Sequence, residues 1–168
     1  MDWLNTKEDT LFLGQAVEYD GTAMTRTIAD VDDGKKLEIP VNEDMQMGMS
    51  IGMALNGTVP ISIFPRWNFL LLGANQLINH LDKAKIMSNG GYAPKVIIRT
   101  SIGSQRPLHP QHQHIADFTA SFKGMCDTVD IIKLDEPFQI FDAFKYAYER
   151  TDNKSTIIVE WGDYYGEK

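Results

Sequence analysis

Six short runs of apolar residues divide the chain, and polar or turn-forming residues bound each of them. Three runs, at residues 61–64, 96–98 and 157–159, are rich in β-branched residues and show little alternation with polar positions. Continuous runs of this kind are typical of strands that are buried on both faces of a parallel sheet. The pattern predicts strands at residues 10–15, 37–40, 59–64, 95–99, 128–134 and 155–161.

Between these runs, apolar residues recur at the spacing of one face of a helix. Methionines at every fourth position mark such a face over residues 44–55, and Asn56-Gly57 then forms a common helix stop. Pro137 opens a further helix, whose predicted buried face includes Phe138 and Phe141. The remaining helices are predicted over residues 69–87 and, from weaker patterns, over 22–29 and 114–122.

Strands and helices alternate along the chain, and this order predicts an α/β domain in which helices connect parallel strands. We expect three layers, with a mostly parallel six-stranded sheet and helices on both of its faces. Polar loops at residues 41–44 and 100–113 follow predicted strands. Ligands of open α/β sheets bind outside the carboxyl ends of the strands, so both loops are candidate site loops.

Composition narrows the class of protein. The 168 residues are 43% hydrophobic and carry a formal net charge of -7. This length predicts one domain over residues 1–168, because chains usually divide only beyond about 250–300 residues. The acidic balance argues against a nucleic-acid partner, which requires a basic surface. No apolar run approaches the roughly 18 residues of a membrane span, so we expect no membrane association.

The first residues and the cysteine content bear on localisation. Residues 1–9 are acidic and lack the basic and apolar parts of a signal peptide. The single cysteine, Cys126, cannot form an internal disulfide, which fits a reducing compartment. We therefore expect a cytoplasmic protein in which Cys126 has a structural role.

Glu43 occupies the position at which a predicted strand ends and a predicted helix begins. Gly48 and Gly52 lie on that helix, where each glycine costs about 1 kcal/mol relative to alanine. The pair therefore indicates close backbone approach by another element. Packing of the helix on its own sheet and packing at an interface are both open at this point.

A second candidate segment, Arg66-Trp67-Asn68-Phe69, follows the strand predicted at residues 59–64. Aromatic rings beside amide and guanidinium groups can stack on a flat ligand ring and hydrogen-bond its edge. Packing in the core or at an interface is the alternative use of Trp67 and Phe69, and the pattern alone favours it.

Three of the four histidines, His109, His112 and His114, fall within six residues on a polar, proline-containing loop. Their spacing is not that of a regular tetrahedral zinc site, so we predict no metal ligands there. Histidine changes charge near neutral pH, and together with Arg99 and Arg106 it favours acid–base chemistry or anion recognition. A solvated loop without chemistry is the alternative.

Together these segments resemble the pyrimidine-binding domain that transketolases share with the β subunits of 2-oxo acid dehydrogenases, which are thiamine diphosphate-dependent enzymes. The resemblance covers residues 12–160. Its carriers, in order, are Pro40-Val41-Asn42-Glu43, Gly48-x-x-x-Gly52-x-Ala54-x-x-Gly57, Pro60-Ile61, residues 64–69, Gln76-Leu77-Ile78-Asn79, Lys83, Ser88-Asn89-Gly90-Gly91, Pro94, residues 96–99 and Gln111-His112.

The resemblance implies the thiamine diphosphate-binding fold and assigns roles at matching positions. Glu43 matches the glutamate that hydrogen-bonds the aminopyrimidine ring and activates the cofactor. Phe69 matches the aromatic residue that stacks on this ring, with Trp67 beside it, and His112 matches the active-site histidine of the dehydrogenase β subunits. Substrate contacts are expected from Arg99, Arg106, His109 and His114.

Two parts of the family's usual architecture have no counterpart in this sequence. These are the diphosphate-binding domain, marked by Gly-Asp-Gly and a downstream Asn, and the C-terminal third domain. The resemblance therefore implies a split enzyme in which a partner chain holds the diphosphate and Mg²⁺, as a heterotetramer.

The resemblance is closest to 2-oxo acid dehydrogenase β subunits, with transketolase-type two-carbon transfer as the alternative. A non-catalytic binding module of the same fold is a third possibility. An unrelated flavodoxin-like or signalling domain is disfavoured, because no acidic phospho-acceptor cluster follows the first strand.

Overall fold

The structure is a computed structural model that describes residues 1–19, 22–103, 105 and 109–166. Its strands are β1 Thr10–Gly14, β2 Lys36–Glu38, β3 Val59–Ile63, β4 Ile97–Ile102, β5 Asp130–Lys133 and β6 Thr156–Trp161. They form one sheet in the order β2-β1-β3-β4-β6-β5, and every neighbouring pair is parallel. All six predicted strands are therefore confirmed.

Helices cover both faces of this sheet. They are α1 Asp2–Asn5, α2 Ala23–Arg26, α3 Glu43–Leu55, α4 Trp67–Leu70, α5 Ala84–Met87, α6 Thr119–Met125 and α7 Gln139–Glu149. One buried cluster joins α1, α2 and α7 to the sheet, and a second joins α3, α4 and α6 to it. The three-layer prediction is confirmed. No helix among the described residues is long and apolar enough to cross a membrane.

The segment predicted as one long helix is helical, but its hydrogen-bonding pattern changes along its length. After α4 comes the 3-10 turn Leu71–Gly73, then the π-helix Gln76–Leu81, and finally α5. A Cβ added at Gly73 would lie 3.0 Å from the carbonyl oxygen of Glu43. The turn thus packs directly on the first residue of α3, a tertiary contact that helical periodicity does not encode.

Two other helices differ from their predicted form. α6 begins five residues later than predicted, and the side chain of Asp117, two residues before the first helical residue, accepts the backbone N–H of Thr119 at 2.9 Å. The predicted burial of Phe138 and Phe141 is wrong, since they are 77% and 53% exposed. Phe138 precedes the first residue of α7, and Phe141 packs edge-on against Trp3 of α1.

The carboxyl ends of all six strands lie at one edge of the sheet, because the strands are parallel. The chain runs from β1 out to β2 and then returns to β3 on the other side of β1, so the strand order reverses between β1 and β3. Such a switch point leaves a crevice between the flanking loops. Glu43, Phe69 and His112 follow β2, β3 and β4 in turn, which brings the three segments to this edge.

Candidate functional site

Glu43 is the first residue of α3, and its side chain is buried at the start of the helix. It is 4% exposed, whereas Asn42 and Asp44 on either side are exposed. Asn42 caps the helix by accepting the backbone N–H of Met45 at 2.9 Å. Within the described part of the chain, no group hydrogen-bonds or ion-pairs with the Glu43 carboxyl. Burying a carboxyl without a partner is costly, so Glu43 is a strong candidate for ligand binding.

A cavity of about 450 Å³ opens between the carboxyl ends of β1 and β3. Its lining residues are Gln15, Ala16, Thr22, Pro65, Arg66, Phe69, Pro110 and His114. A second cavity of about 230 Å³ shares Thr22, Pro65 and Arg66 with the first and extends to Ser101 and Gly162, next to β4 and β6. We call the two cavities together the crevice. It lies at the switch point, where ligands of such sheets bind.

Phe69 and His114 lie side by side in the wall of the crevice. Their ring centroids are 5.6 Å apart and the ring planes are tilted by 39°. Nδ1 of His114 lies 3.1 Å from Oδ1 of Asn68, within hydrogen-bond distance, so the Asn68 amide orients the ring. Phe69 is half-buried, which leaves part of its ring free for a ligand.

Gly103 at the end of β4 lets the histidine loop pack against the sheet. A Cβ at this position would lie 2.7 Å from the carbonyl oxygen of His114 and 2.7 Å from Cα of Ile115. His109 and His112 are exposed, with ring centroids 6.3 Å apart. The structure thus places His114 in the crevice wall and leaves the other two rings on the solvent side.

Arg99 is committed to a buried ion pair. Its guanidinium donates to both carboxylate oxygens of Glu160, at 2.9 and 2.8 Å, and to Oγ1 of Thr27 at 2.7 Å. Both charged side chains are at most 2% exposed, and Tyr165 donates a further hydrogen bond to Glu160. Burial by itself lowers the pKa of Arg99, but the charges and hydrogen bonds of Glu160 and Tyr165 together outweigh burial and raise it. These contacts favour a structural role for Arg99 over the predicted substrate contact.

Comparison with known proteins identifies the family of this chain. The family described as "Transketolase, pyrimidine binding domain" matches residues 2–164. The chain belongs to this family.

Individual relatives of this pyrimidine-binding domain are also similar over nearly its whole length. It is 32% identical over 168 residues to the mitochondrial "Pyruvate dehydrogenase E1 component subunit beta" of Ascaris suum, covering 96% of this chain and 45% of the relative. The bovine mitochondrial protein of the same name is 27% identical over 169 residues, covering 97% and 45%. The chain therefore spans about half the length of these curated relatives.

One solved structure of similar fold is described as "Split gene transketolase, inactive beta4 tetramer". Its TM-score is 0.69, and the match covers 91% of this pyrimidine-binding domain and 45% of the other chain. The sequence identity is 13%, so this likeness shows the fold alone.

Two further predicted residues of the pyrimidine-binding domain have different outcomes. Trp67 is 1% exposed, and its ring centroid lies 4.9 Å from that of Phe122 in the core. This placement favours packing, the alternative that the sequence left open, over contact with a cofactor. Arg106 lies outside the described residues. Among the residues that are described, no three His, Cys, Asp or Glu side chains converge on a possible metal position.

Two features of the site were not predicted from the sequence. Asn68 orients the ring of His114, although the two residues are 46 positions apart. Arg66 lines both cavities of the crevice, yet the pattern singled it out only as part of a possible ring-binding segment. Its position directly after a buried strand, at the carboxyl edge, was the one available signal.

Proposed function

We propose that this chain is the pyrimidine-binding subunit of a split thiamine diphosphate-dependent enzyme that acts on 2-oxo acids or ketoses. Glu43 carries the proposal, because the residue is 4% exposed and its carboxyl group has no partner among the described residues, in a domain whose family is named for pyrimidine binding. A carboxyl group can donate through its O–H or accept through its oxygens, which suits the ring nitrogen and amino group of an aminopyrimidine.

The residues at the carboxyl edge fit such a group. Glu43 would hold a proton at a carboxyl oxygen facing the pyrimidine nitrogen, and Phe69 would contact the face of the ring. When bound, thiamine diphosphate supplies a nucleophilic carbon that adds to a substrate carbonyl group. His112 would exchange protons with the substrate from the exposed loop, and His114 would present Nε2 from the crevice wall.

A partner chain would complete the site, holding the diphosphate and Mg²⁺ in a heterotetramer. Support comes from α3, where Gly48 and Gly52 are exposed and no described atom lies within 4 Å of a Cβ built at either. The sequence indicated close approach at this glycine face, and no element within the described chain makes it. Leu71 and Leu72, 41% and 64% exposed, add apolar surface on the turn that packs on α3.

The relatives favour 2-oxo acid dehydrogenase chemistry, an oxidoreductase reaction, over two-carbon transfer by a transferase. The cytoplasmic location stays a prediction, since the curated relatives include mitochondrial and chloroplastic proteins. A non-catalytic module of the same fold is the competing proposal, and the unpartnered Glu43 carboxyl argues against it, because nothing in the fold requires that group.

The first test is the native mass and cofactor content of the protein isolated from its own cells. We expect a second chain to co-purify, together with thiamine diphosphate and Mg²⁺. A self-associated chain without cofactor would support the non-catalytic module and contradict the proposal.

The second test is Glu43→Gln in the assembled complex. Exchange of the thiazolium C2 proton of the cofactor with deuterium, followed by NMR, should slow by more than about 100-fold, because general acid–base groups contribute at least that much. Asp44→Asn is the matched control, since Asp44 is the exposed carboxylate next in the same helical turn. Unchanged exchange in Glu43→Gln would end the catalytic assignment.

A further inference from the structure

Arg66 has a buried hydrogen-bond donor with no acceptor. It follows β3 directly and lines both cavities of the crevice. Its Nη1 atom is inaccessible to solvent, and no described group accepts a hydrogen bond from it. A guanidinium retains its charge in proteins, and no described carboxylate pairs with that of Arg66, whose side chain is half-buried. Burial lowers the pKa of Arg66, because partial removal from water disfavours the charged guanidinium.

The neighbouring hydroxyl groups of the crevice already have partners. Oγ of Ser101 donates to the carbonyl oxygen of Pro65 at 2.7 Å, and Oγ1 of Thr22 lies 2.9 Å from Oγ1 of Thr25. The hydroxyl of Tyr165 donates to Glu160. Arg66 is therefore the permanently charged side chain among the described residues that line the crevice. Because Nη1 itself is inaccessible to solvent, a ligand would contact the part of this half-buried side chain that lines the two cavities.

The crevice also lacks a competing negative charge. No carboxylate stands among the described residues that line its two cavities, although the chain carries a net charge of -7. The buried arginine Arg150, in contrast, is paired with Asp130 and Asp152, at 2.7 Å from each. An arginine without a carboxylate in a cavity of this size is the arrangement that binds a ligand anion, because its fork of N–H donors matches carboxylate and phosphate oxygens.

We propose that Arg66 binds the anionic group, a carboxylate or a phosphate, of a small molecule held in the crevice. The assignment of that molecule as the substrate rests on the proposed function, whereas the anion site itself does not. Phe69 and His114 line the same cavity as Arg66, so the anionic group would hold the rest of the molecule beside the residues proposed for cofactor binding and proton transfer.

Binding of two probes to the full chain without cofactor or partner tests the proposal. Pyruvate and inorganic phosphate are titrated separately, and chemical-shift changes are followed at the backbone amides of Arg66 and Trp67. Arg66→Gln should weaken binding of the preferred probe by at least tenfold, as expected for a charge-assisted hydrogen bond. Arg66→Lys keeps the positive charge but loses the forked pair of N–H donors. Its affinity for the probe should lie between that of Arg66→Gln and that of the unmodified chain.

Lys123→Gln is the control, because it removes an exposed positive charge from α6, a helix that does not line the crevice. The affinity of Lys123→Gln for the preferred probe should equal that of the unmodified chain. Equal binding by Arg66→Gln and the unmodified chain, or no binding of either probe, overturns the proposal. Stronger binding of pyruvate supports a carboxylate ligand, and stronger binding of phosphate supports a phosphorylated one.

This test is independent of the thiamine diphosphate assignment. Anion binding that depends on Arg66, together with unchanged deuterium exchange in Glu43→Gln, would retain the anion site and reject the proposed function. Slower deuterium exchange in Glu43→Gln, without anion binding that depends on Arg66, would retain the proposed function and reject the anion site. Urea unfolding of both Arg66 variants verifies that the fold is intact, which we expect because Nη1 has no partner to lose.

Discussion

Two buried glutamates of this chain lie in contrasting surroundings. Glu160 on β6 is fully buried, and Arg99 and Tyr165 donate to its carboxylate. Glu43 at the start of α3 is 4% exposed, and no described group donates to it. The first arrangement is complete within the chain, whereas the Glu43 carboxyl has no partner among the described residues. Burial alone therefore does not distinguish these two glutamates, but the presence or absence of an internal partner does.

The arginines of the same two regions repeat the contrast. Arg99 uses its guanidinium on Glu160 and Thr27 in the core. Arg66 lines the crevice, and its inaccessible Nη1 atom has no partner among the described residues. The surroundings of the two arginines follow from the strand order. Arg99 and Glu160 lie on the paired strands β4 and β6, whereas Arg66 follows the carboxyl end of β3, next to the crevice between β1 and β3.

The largest expected effect separates the two glutamates by stability. Glu160→Gln should lower the free energy of unfolding by about 3–5 kcal/mol, because it leaves the charge of Arg99 buried without its counterion. Glu43→Gln should change it by less than about 1 kcal/mol, since no internal partner is lost. Urea unfolding at pH 7 measures both variants. Equal losses would remove the distinction between the two regions.

A third buried carboxylate, Asp82, should behave as Glu160 does. It accepts backbone N–H groups of Asp127, Thr128 and Val129 and contacts Lys83. Burial by itself raises the pKa of Asp82, but the hydrogen bonds from Asp127, Lys83, Thr128 and Val129 together outweigh burial and lower it to about 2. The stability that this carboxylate contributes is present above pH ~4 and is lost as the pH falls toward 2.

Asp82→Asn should therefore lower the free energy of unfolding at pH 7 by about 2–3 kcal/mol. Its stability should also fall less steeply than that of the unmodified chain between pH 4 and 2. Urea unfolding across this pH range measures both effects, and Asp142→Asn on the exposed surface of α7 is the control. Parallel pH profiles for Asp82→Asn and the unmodified chain would contradict this account of Asp82.

The smallest expected effect concerns the open glycine face of α3. Gly48→Ala should raise the stability of the isolated chain by about 0.5–1 kcal/mol, because alanine is the better helix former and nothing lies within 4 Å of its Cβ. In the assembled complex the same change should weaken subunit association. Thermal unfolding and analytical ultracentrifugation measure the two effects.

Gly124→Ala on α6 provides the comparison for that variant, because Gly124 is also helical, exposed and free of neighbours within 4 Å. It should stabilise the chain and leave association unchanged. If Gly48→Ala and Gly124→Ala had the same effect on subunit association, the partner would not contact the glycine face of α3.

Local sequence determined the secondary structure and much of the candidate site. Short apolar runs were sufficient for all six strands, and three of these runs are rich in β-branched residues, whose side chains restrict the backbone wherever they occur. The helix predicted over residues 44–55 matches α3 to within one residue, and the Asn42 cap that fixes its start acts within one helical turn. The motifs around Glu43 and Phe69 also led to the family that the comparison shows.

Tertiary structure decided which of these side chains are available to a ligand. Arg99 meets Glu160 across 61 residues, and His114 meets Asn68 across 46, through a strand order that no local pattern contains. The sequence pattern gave Trp67 and Phe69 the same two possible roles, core packing or ligand contact. In the structure Trp67 lies in the core, whereas Phe69 lines the crevice. Sequence patterns act over a few residues of the backbone, whereas burial and pairing depend on residues that only the folded sheet brings together.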